Sequence, residues 1–361
     1  MKLAWRELIR RPQRFVTAAA ILTLISLLLI FLGGLLDGLI NSSTEAVSAQ
    51  RGEALVFSAK SRSSFPSSRI EPSQRAAYEA AVGAENVGGI GVAQFGARLS
   101  NAGPRDLVSV ALFGYELAPT GVRDRPPVDG EVFADDVLRS DGVEQGMTLL
   151  LGPARSPVTV VGFVSDVNYL GQGTLWGSLT TWRTVQNANR PDDPIGDGVV
   201  QSLLIARPML AEAAEGTTVL TIAQAVDALP GVKEQRATFG QIIGVTVIIA
   251  IVVVGLFFAL ITVERLGLYG VLKAIGARSR TLFAGVMLQA VILTLAASVV
   301  AGVLALILDS VIPPGSIPFD LSVNRLVTSI VLLLVAAIVG SAFSLRRVLR
   351  VDPASAIGSS I

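Results

Sequence analysis

The chain has 361 residues, 51% of them hydrophobic and 16% charged, with 29 basic residues against 28 acidic and neither histidine nor cysteine. The missing types exclude disulfides, thiolate nucleophiles, iron–sulfur clusters, thiolate or histidine metal cages and a serine–histidine–aspartate triad. The charged fraction lies well below the roughly 25% of ordinary soluble domains.

Residues 1–14 carry Lys2, Arg6, Arg10 and Arg14 at four-residue spacing, with Trp5, Leu8 and Ile9 on another face. This predicts a cytoplasmic amphipathic helix on the inner leaflet. Residues 15–36 are the first of four stretches rich in Leu, Ile, Val and Ala and free of Asp, Glu, Lys and Arg; the others are 241–263, 281–308 and 326–345. At about 1.5 Å per helical residue each covers the roughly 30 Å hydrocarbon core, so all four are predicted to span a membrane. Val47-Ser48-Ala49 resembles a signal-peptide cleavage site. The first apolar stretch is longer than a signal core of about 7–15 residues, so a retained helix is expected.

Residues 37–240 are domain-sized and read as mixed α and β. Runs 54–58, 107–113, 147–151, 158–164 and 199–206 are β-rich, and 72–82, 175–187 and 222–229 read as helices. The serine-rich 58–68 segment reads as a mobile surface loop, and residues 101–104, 126–127 and 190–194 as loop punctuation. No catalytic constellation stands out. Asp135-Asp136 and Asp192-Asp193 read as solvated turn acids, since neighbours on a strand face opposite ways. Gly171-Gln172-Gly173 lacks the third glycine of a dinucleotide fingerprint, and no P-loop occurs. The expected architecture is a membrane protein with four transmembrane helices and a large α+β extracytoplasmic domain inserted between helices 1 and 2.

After the second span, residues 264–280 read Glu-Arg-Leu-Gly-Leu-Tyr-Gly-Val-Leu-Lys-Ala-Ile-Gly-Ala-Arg-Ser-Arg. Leu268, Leu272 and Ile275 form a narrow apolar ridge flanked by Arg265, Lys273 and Arg278, which suits a short helix inserted into a groove on another protein. The outer loop, 309–325, holds Asp309, Asp320 and Arg325, whereas the tail, 346–361, holds Arg346, Arg347 and Arg350. Basic residues thus gather at both termini and in 264–280, which places all three on the cytoplasmic side.

The 264–280 segment resembles the E-R-x-x-E-I-G-x-L-K-A-I-G-A motif of ABC transporter permeases in the MacB/FtsX (type VII) superfamily. Glu264, Arg265, Leu272, Lys273, Ala274, Ile275, Gly276 and Ala277 match it; Leu268, Tyr269 and Gly270 stand where Glu-Ile-Gly is usual. The order of one span, a large outside domain and three further spans is similar across the whole chain, as is the tail Val351-Asp352-Pro353-Ala354-Ser355-Ala356-Ile357. Met1–Trp5, Gly34–Gly38, Ile317-Pro318-Phe319 and the segments 129–132, 146–149 and 159–162 look like the haem-exporting, HrtB- and DevC-like group.

The resemblance implies a non-enzymatic transport subunit in the bacterial cytoplasmic membrane. A second copy, as a homodimer partner, or a homologue would pair with it among membrane lipids, and a cytoplasmic ABC ATPase would bind ATP and Mg. It implies no nucleic acid, and no cofactor or metal in this chain. Glu264, Arg265, Leu268, Leu272, Lys273, Ile275 and Gly276 would couple to the ATPase. Mechanotransmission would then export haem or a similar amphiphile. Glycines 33, 34 and 38 allow close helix approach, so Phe31, Gly34, Leu35, Asp37, Gly38 and Glu45 are expected at a dimer seam that admits substrate. With histidine and cysteine absent, the polar candidates for haem are Tyr169, Glu45 and Asp37, with Arg51 and Arg325 for its propionates; the alternative is apolar contact alone through Phe31, Leu35, Leu36 and Leu39. The alternatives are export of lipid, peptide or drug, or a cell-division-type regulatory permease acting on an extracytoplasmic partner.

Overall fold

The computed structural model describes residues 12–99, 107–207, 214–264, 271, 275, 279–311 and 317–348. The predicted arm up to residue 11, the 101–104 loop, the tail from 349 and most of the 264–280 segment lie outside the described residues. Each uncharged stretch folds as a helix: α1 (Pro12–Ser48), α5 (Val232–Glu264), α6 (Ser279–Val311) and α7 (Val323–Val348). All four are long and apolar enough to cross a membrane. The chain divides into two compact units. One comprises Met1–Gly38, Arg236–Pro313 and Phe319–Ile361, the other Leu39–Gln235 and Pro314–Pro318.

The helical unit packs through small residues. Gly255 of α5 meets Gly340 of α7 so closely that a Cβ on Gly255 would lie 3.2 Å from the Gly340 carbonyl oxygen, and one on Gly340 would strike the carbonyl of Ile251. Buried positions include Ala18, Ala250, Ala290, Ala297, Ala301 and Ala336 beside larger ones such as Leu29, Val254 and Phe258, with Ser26 of α1 bonded to Ser298 of α6 at 3.4 Å. Many large side chains point outward: Val245, Ile248, Val252, Leu256, Leu260 and Val263 of α5 are all exposed. This inversion suits a lipid surround, where aliphatic side chains gain nothing by hiding and backbones associate through small residues.

The second unit is built on a nine-stranded sheet. Its strands are β1 (Ala54–Ser58), β2 (Val87–Leu99), β3 (Leu107–Tyr115), β4 (Glu131–Asp135), β5 (Thr148–Leu151), β6 (Ser156–Val164), β7 (Gly173–Gly177), β8 (Ser202–Ile205) and β9 (Thr217–Thr221). They run in the order β3-β7-β4-β6-β5-β2-β8-β1-β9, and β2 also pairs with β3. Six strands therefore close a ring, which removes open edges, while β8-β1-β9 extends from the start of β2. The β3–β7 and β4–β6 pairs are parallel. Three helices complete the unit: α2 (Pro72–Val82), α3 (Leu179–Asn189) and α4 (Ile222–Ala228). Their starts follow capping chemistry. Glu71 and Gln74 form a reciprocal box with Pro72 in the first turn, Ser178 accepts from Thr181 N–H, and Thr221 pairs with Gln224.

Three expectations are corrected. The 175–187 run is not one helix: Leu175 and Trp176 are strand, aligned with Leu112 and Phe113, and the helix begins after the Ser178 cap. The 58–68 segment is packed, with two 3-10 turns and buried Ser61, Phe65 and Ser68. Asp135 is not a solvated turn acid but 1% exposed at the end of β4.

Candidate functional site

The outer end of α1 carries most of the predicted seam residues, and the structure gives several of them partners within the chain. Without side chains at Gly33 and Gly34, the segment entering α7 lies directly on α1: a Cβ at Gly34 would come within 2.5 Å of the Phe319 ring, and one at Gly33 would collide with the Arg325 side chain. Phe31 stacks on Phe319 with ring centroids 5.4 Å apart. Asp320 N–H donates to the Gly34 carbonyl at 3.1 Å. One turn further, Arg325 holds Asp37 with both prongs: Nε donates to Oδ2 at 2.8 Å, and Nη2 donates to Oδ1. A bidentate pair of this kind is directional as well as strong. Ser322 caps α7 by accepting from Arg325 N–H at 3.1 Å. Phe31, Gly34 and Asp37 thus form a clasp between α1 and α7. Gly38 is buried, and Leu35 is half-exposed.

Glu45 stands two turns on, in the sheet domain. Its carboxylate accepts from both the backbone N–H and the side-chain amide of Asn168, at 3.2 and 3.0 Å. Ala46 N–H donates to the Asn168 carbonyl, and the N–H groups of Leu170 and Gly171 donate to the carbonyls of Ser43 and Ser42. Ala46 and Val47 then enter a core cluster with Phe113, Phe133, Tyr169 and Trp176. Val232, the first residue of α5, is buried in the same cluster with Leu229. The roots of the first two long helices are therefore set in one hydrophobic core.

Asp135 lies near this root. Burial pushes its carboxyl up to about 6, with Glu45 and Asp136 adding repulsion, while the N–H groups of Val137 and Thr174 oppose the shift. Oδ2 has no hydrogen-bond partner among the described residues. The other polar candidates are engaged elsewhere. Arg325 is held by Asp37, Arg51 pairs with Asp124 at 3.2 Å, and Tyr169 is 3% exposed inside the sheet domain. No cluster of three or more metal-ligating side chains occurs among the described residues.

Of the predicted coupling residues, Arg265, Leu268, Leu272, Lys273 and Gly276 lie outside the described residues. Glu264 ends α5 exposed, and Ile275 is 79% exposed in a turn whose N–H donates to the Val271 carbonyl.

Residues 241–353, which include most of α5, all of α6 and α7 and the 264–280 segment, match the family model FtsX-like permease C-terminal. With four helices long and apolar enough to cross a membrane and a sheet domain between the first two, the chain is a multi-pass membrane protein whose C-terminal third is similar to FtsX-like permeases. The resemblance expected from the Glu264–Ala277 motif and the order of spans is borne out.

The individual likenesses are narrower. The chain is 22% identical over 363 aligned residues, 99% of each chain, to a protein of Staphylococcus haemolyticus named as a hemin transport system permease, HrtB. It is 39% identical over 112 residues, 31% of each chain, to the uncharacterized ABC transporter permease Rv2563 of Mycobacterium tuberculosis. Among solved structures, the periplasmic region of MacB from Actinobacillus actinomycetemcomitans covers 50% of this chain and 94% of its own at 10% identity, with a TM-score of 0.32. That score is too low to argue from.

Proposed function

We propose that the chain is the membrane subunit of an ATP-driven exporter. Two copies pair in the bacterial cytoplasmic membrane with all termini inside, and each docks a cytoplasmic ATPase through residues 264–280. The ATPase binds ATP and Mg, and its closure moves the spans, which act on the outside domain by mechanotransmission. The cargo is haem or a similar amphiphile entering from the outer leaflet beside the first spans. The observation that carries this reading is the end-to-end alignment with the S. haemolyticus hemin permease.

The geometry supports the reading in two places. A transmitting element needs two arrangements that ATP biases differently, and movement at either helix root acts on one shared core. At the seam, half-exposed Phe31 and Leu35 offer an apolar surface to a porphyrin face. Its propionates compete with Asp37 for Arg325, so cargo entry opens the clasp. The test is haemin tolerance of a deletion strain against the complemented strain. The reading expects the deletion strain to stop growing at haemin concentrations that the complemented strain survives. Equal growth overturns haem as cargo.

A further inference from the structure

Within the sheet domain, beside the turn that opens α5, lies a cavity of about 140 Å³. Phe65, Val92, Leu170 and Leu229 wall it, the Tyr169 ring lines it, and its other polar lining comes from serines and Gln94. No carboxylate and no basic side chain faces it. The volume is close to the roughly 150 Å³ of an apolar cavity that takes up benzene. It is well under the roughly 300 Å³ at which sites for drug-sized ligands begin. One ring or one branched alkyl group fits; a porphyrin does not.

Tyr169 gives the cavity its chemistry. Buried tyrosines ordinarily find a partner for the hydroxyl, and the other described tyrosines do. Tyr78 bonds Thr217 at 2.5 Å, and Tyr115 donates to the Arg123 carbonyl at 2.9 Å. Tyr169 is 3% exposed, yet its hydroxyl has no hydrogen-bond partner among the described residues. The hydroxyl is not among the fully enclosed polar atoms, and Tyr169 is one of the residues that line this cavity. Burial pushes the phenol up to about 12, so it stays protonated and can donate.

The surrounding backbone carries positive φ angles at non-glycine residues. Arg62, Ser63 and Leu170 all hold the left-handed conformation, at φ 52°, 61° and 50°, and Ser63 and Leu170 line the cavity. Such strain in non-glycine residues gathers where function requires it. The position also matters. The loop bearing Tyr169 and Leu170 is bonded to the last turns of α1, and Leu229-Pro230 immediately precedes α5. The cavity therefore joins the two helix roots.

We propose that this cavity is a binding site for a small uncharged molecule that combines one apolar ring or branched alkyl group with an acceptor oxygen, which takes a hydrogen bond from Tyr169. Its occupancy ties the loop holding α1 to the turn opening α5. The site uses none of Phe31, Gly34, Leu35, Asp37, Gly38, Glu45 and Arg325.

The test uses the full chain in lipid nanodiscs, with 4-fluoroacetophenone as probe, fluorobenzene as its acceptor-free counterpart, and ¹⁹F NMR titrations corrected against empty nanodiscs. Saturable binding is expected, with 4-fluoroacetophenone about 3- to 10-fold tighter than fluorobenzene, the worth of one net hydrogen bond. Tyr169→Phe should remove that preference and leave fluorobenzene unchanged. Ser64→Trp, which fills the cavity from the packed 58–68 segment, should abolish binding of both. Binding no greater than in empty nanodiscs overturns the proposal. So does a preference that survives Tyr169→Phe, or binding unaffected by Ser64→Trp.

Discussion

The two units of this chain bury opposite kinds of residue. In the sheet domain the fully buried side chains are the largest ones, Trp176, Trp182, Tyr78, Tyr115, Phe57 and Phe113. In the helical unit alanine, serine and glycine share the buried positions with larger residues such as Leu29, Ile30 and Phe258, and most valines, isoleucines and leucines face out. Water explains the first pattern, because burying a large apolar side chain contributes about 1.5–3 kcal/mol. Lipid explains the second: tails are as apolar as leucine, so helices associate by close backbone approach and a few polar contacts. The same amino acids thus carry opposite information in the two units.

The largest effect that would sharpen this contrast is expected in the sheet core. Trp176 stacks on Phe113 at 4.5 Å and meets Tyr115 edge-on. Trp176→Ala should cost about 3–5 kcal/mol, read as lost hydrogen-exchange protection across β3, β4 and β7 of the full chain. Next comes Asp135. Its folded pKa lies above the ordinary carboxylate value, so the native state binds more protons between about pH 4 and pH 6. Stability from this group is complete below about pH 4 and is lost as pH rises through about 6, about 3 kcal/mol in all. Protection of the sheet domain should fall over that window, and Asp135→Asn should flatten the dependence and raise stability at about pH 7.

In the helical unit the sensitive position is a glycine. Gly340→Leu forces a side chain against the Ile251 carbonyl, and overpacking of this kind costs about 1–3 kcal/mol. The midpoint of unfolding in a detergent titration should drop, whereas Leu256→Ala, at an outward-facing position of α5, should scarcely move it. Last is the clasp. A double-mutant cycle of Asp37→Asn and Arg325→Gln, read by the same titration, should give a coupling of about 1–2 kcal/mol. Additive effects would mean that the pair does not fasten α1 to α7.

Much of this was legible from sequence. The four spans follow from composition alone, and Ala54–Ser58 and Pro72–Val82 fold with the predicted bounds. β2 was missed because Gly88, Gly89, Gly91 and Gly96 disguise it. The fold needs at least one of them, since a Cβ at Gly91 would fall inside the Trp182 ring. Leu175-Trp176 read as helix because a short apolar run has no period to distinguish the two. Only tertiary pairing with β3 decides it. At the seam, glycines 33, 34 and 38 signalled close approach, but nothing local named Phe319 and Arg325 as what approaches. Asp135 and the Tyr169 cavity were invisible for the same reason: burial is a property of the whole fold.

The central claim is that this chain borrows its engine through residues 264–280. The direct measurement is affinity purification of the full chain from its native membranes, with co-purifying proteins identified by mass spectrometry. The account predicts an ABC ATPase with the unaltered chain and its loss with Leu272→Asp combined with Ile275→Asp. No ATPase with the unaltered chain, or undiminished ATPase with the double variant, would contradict it.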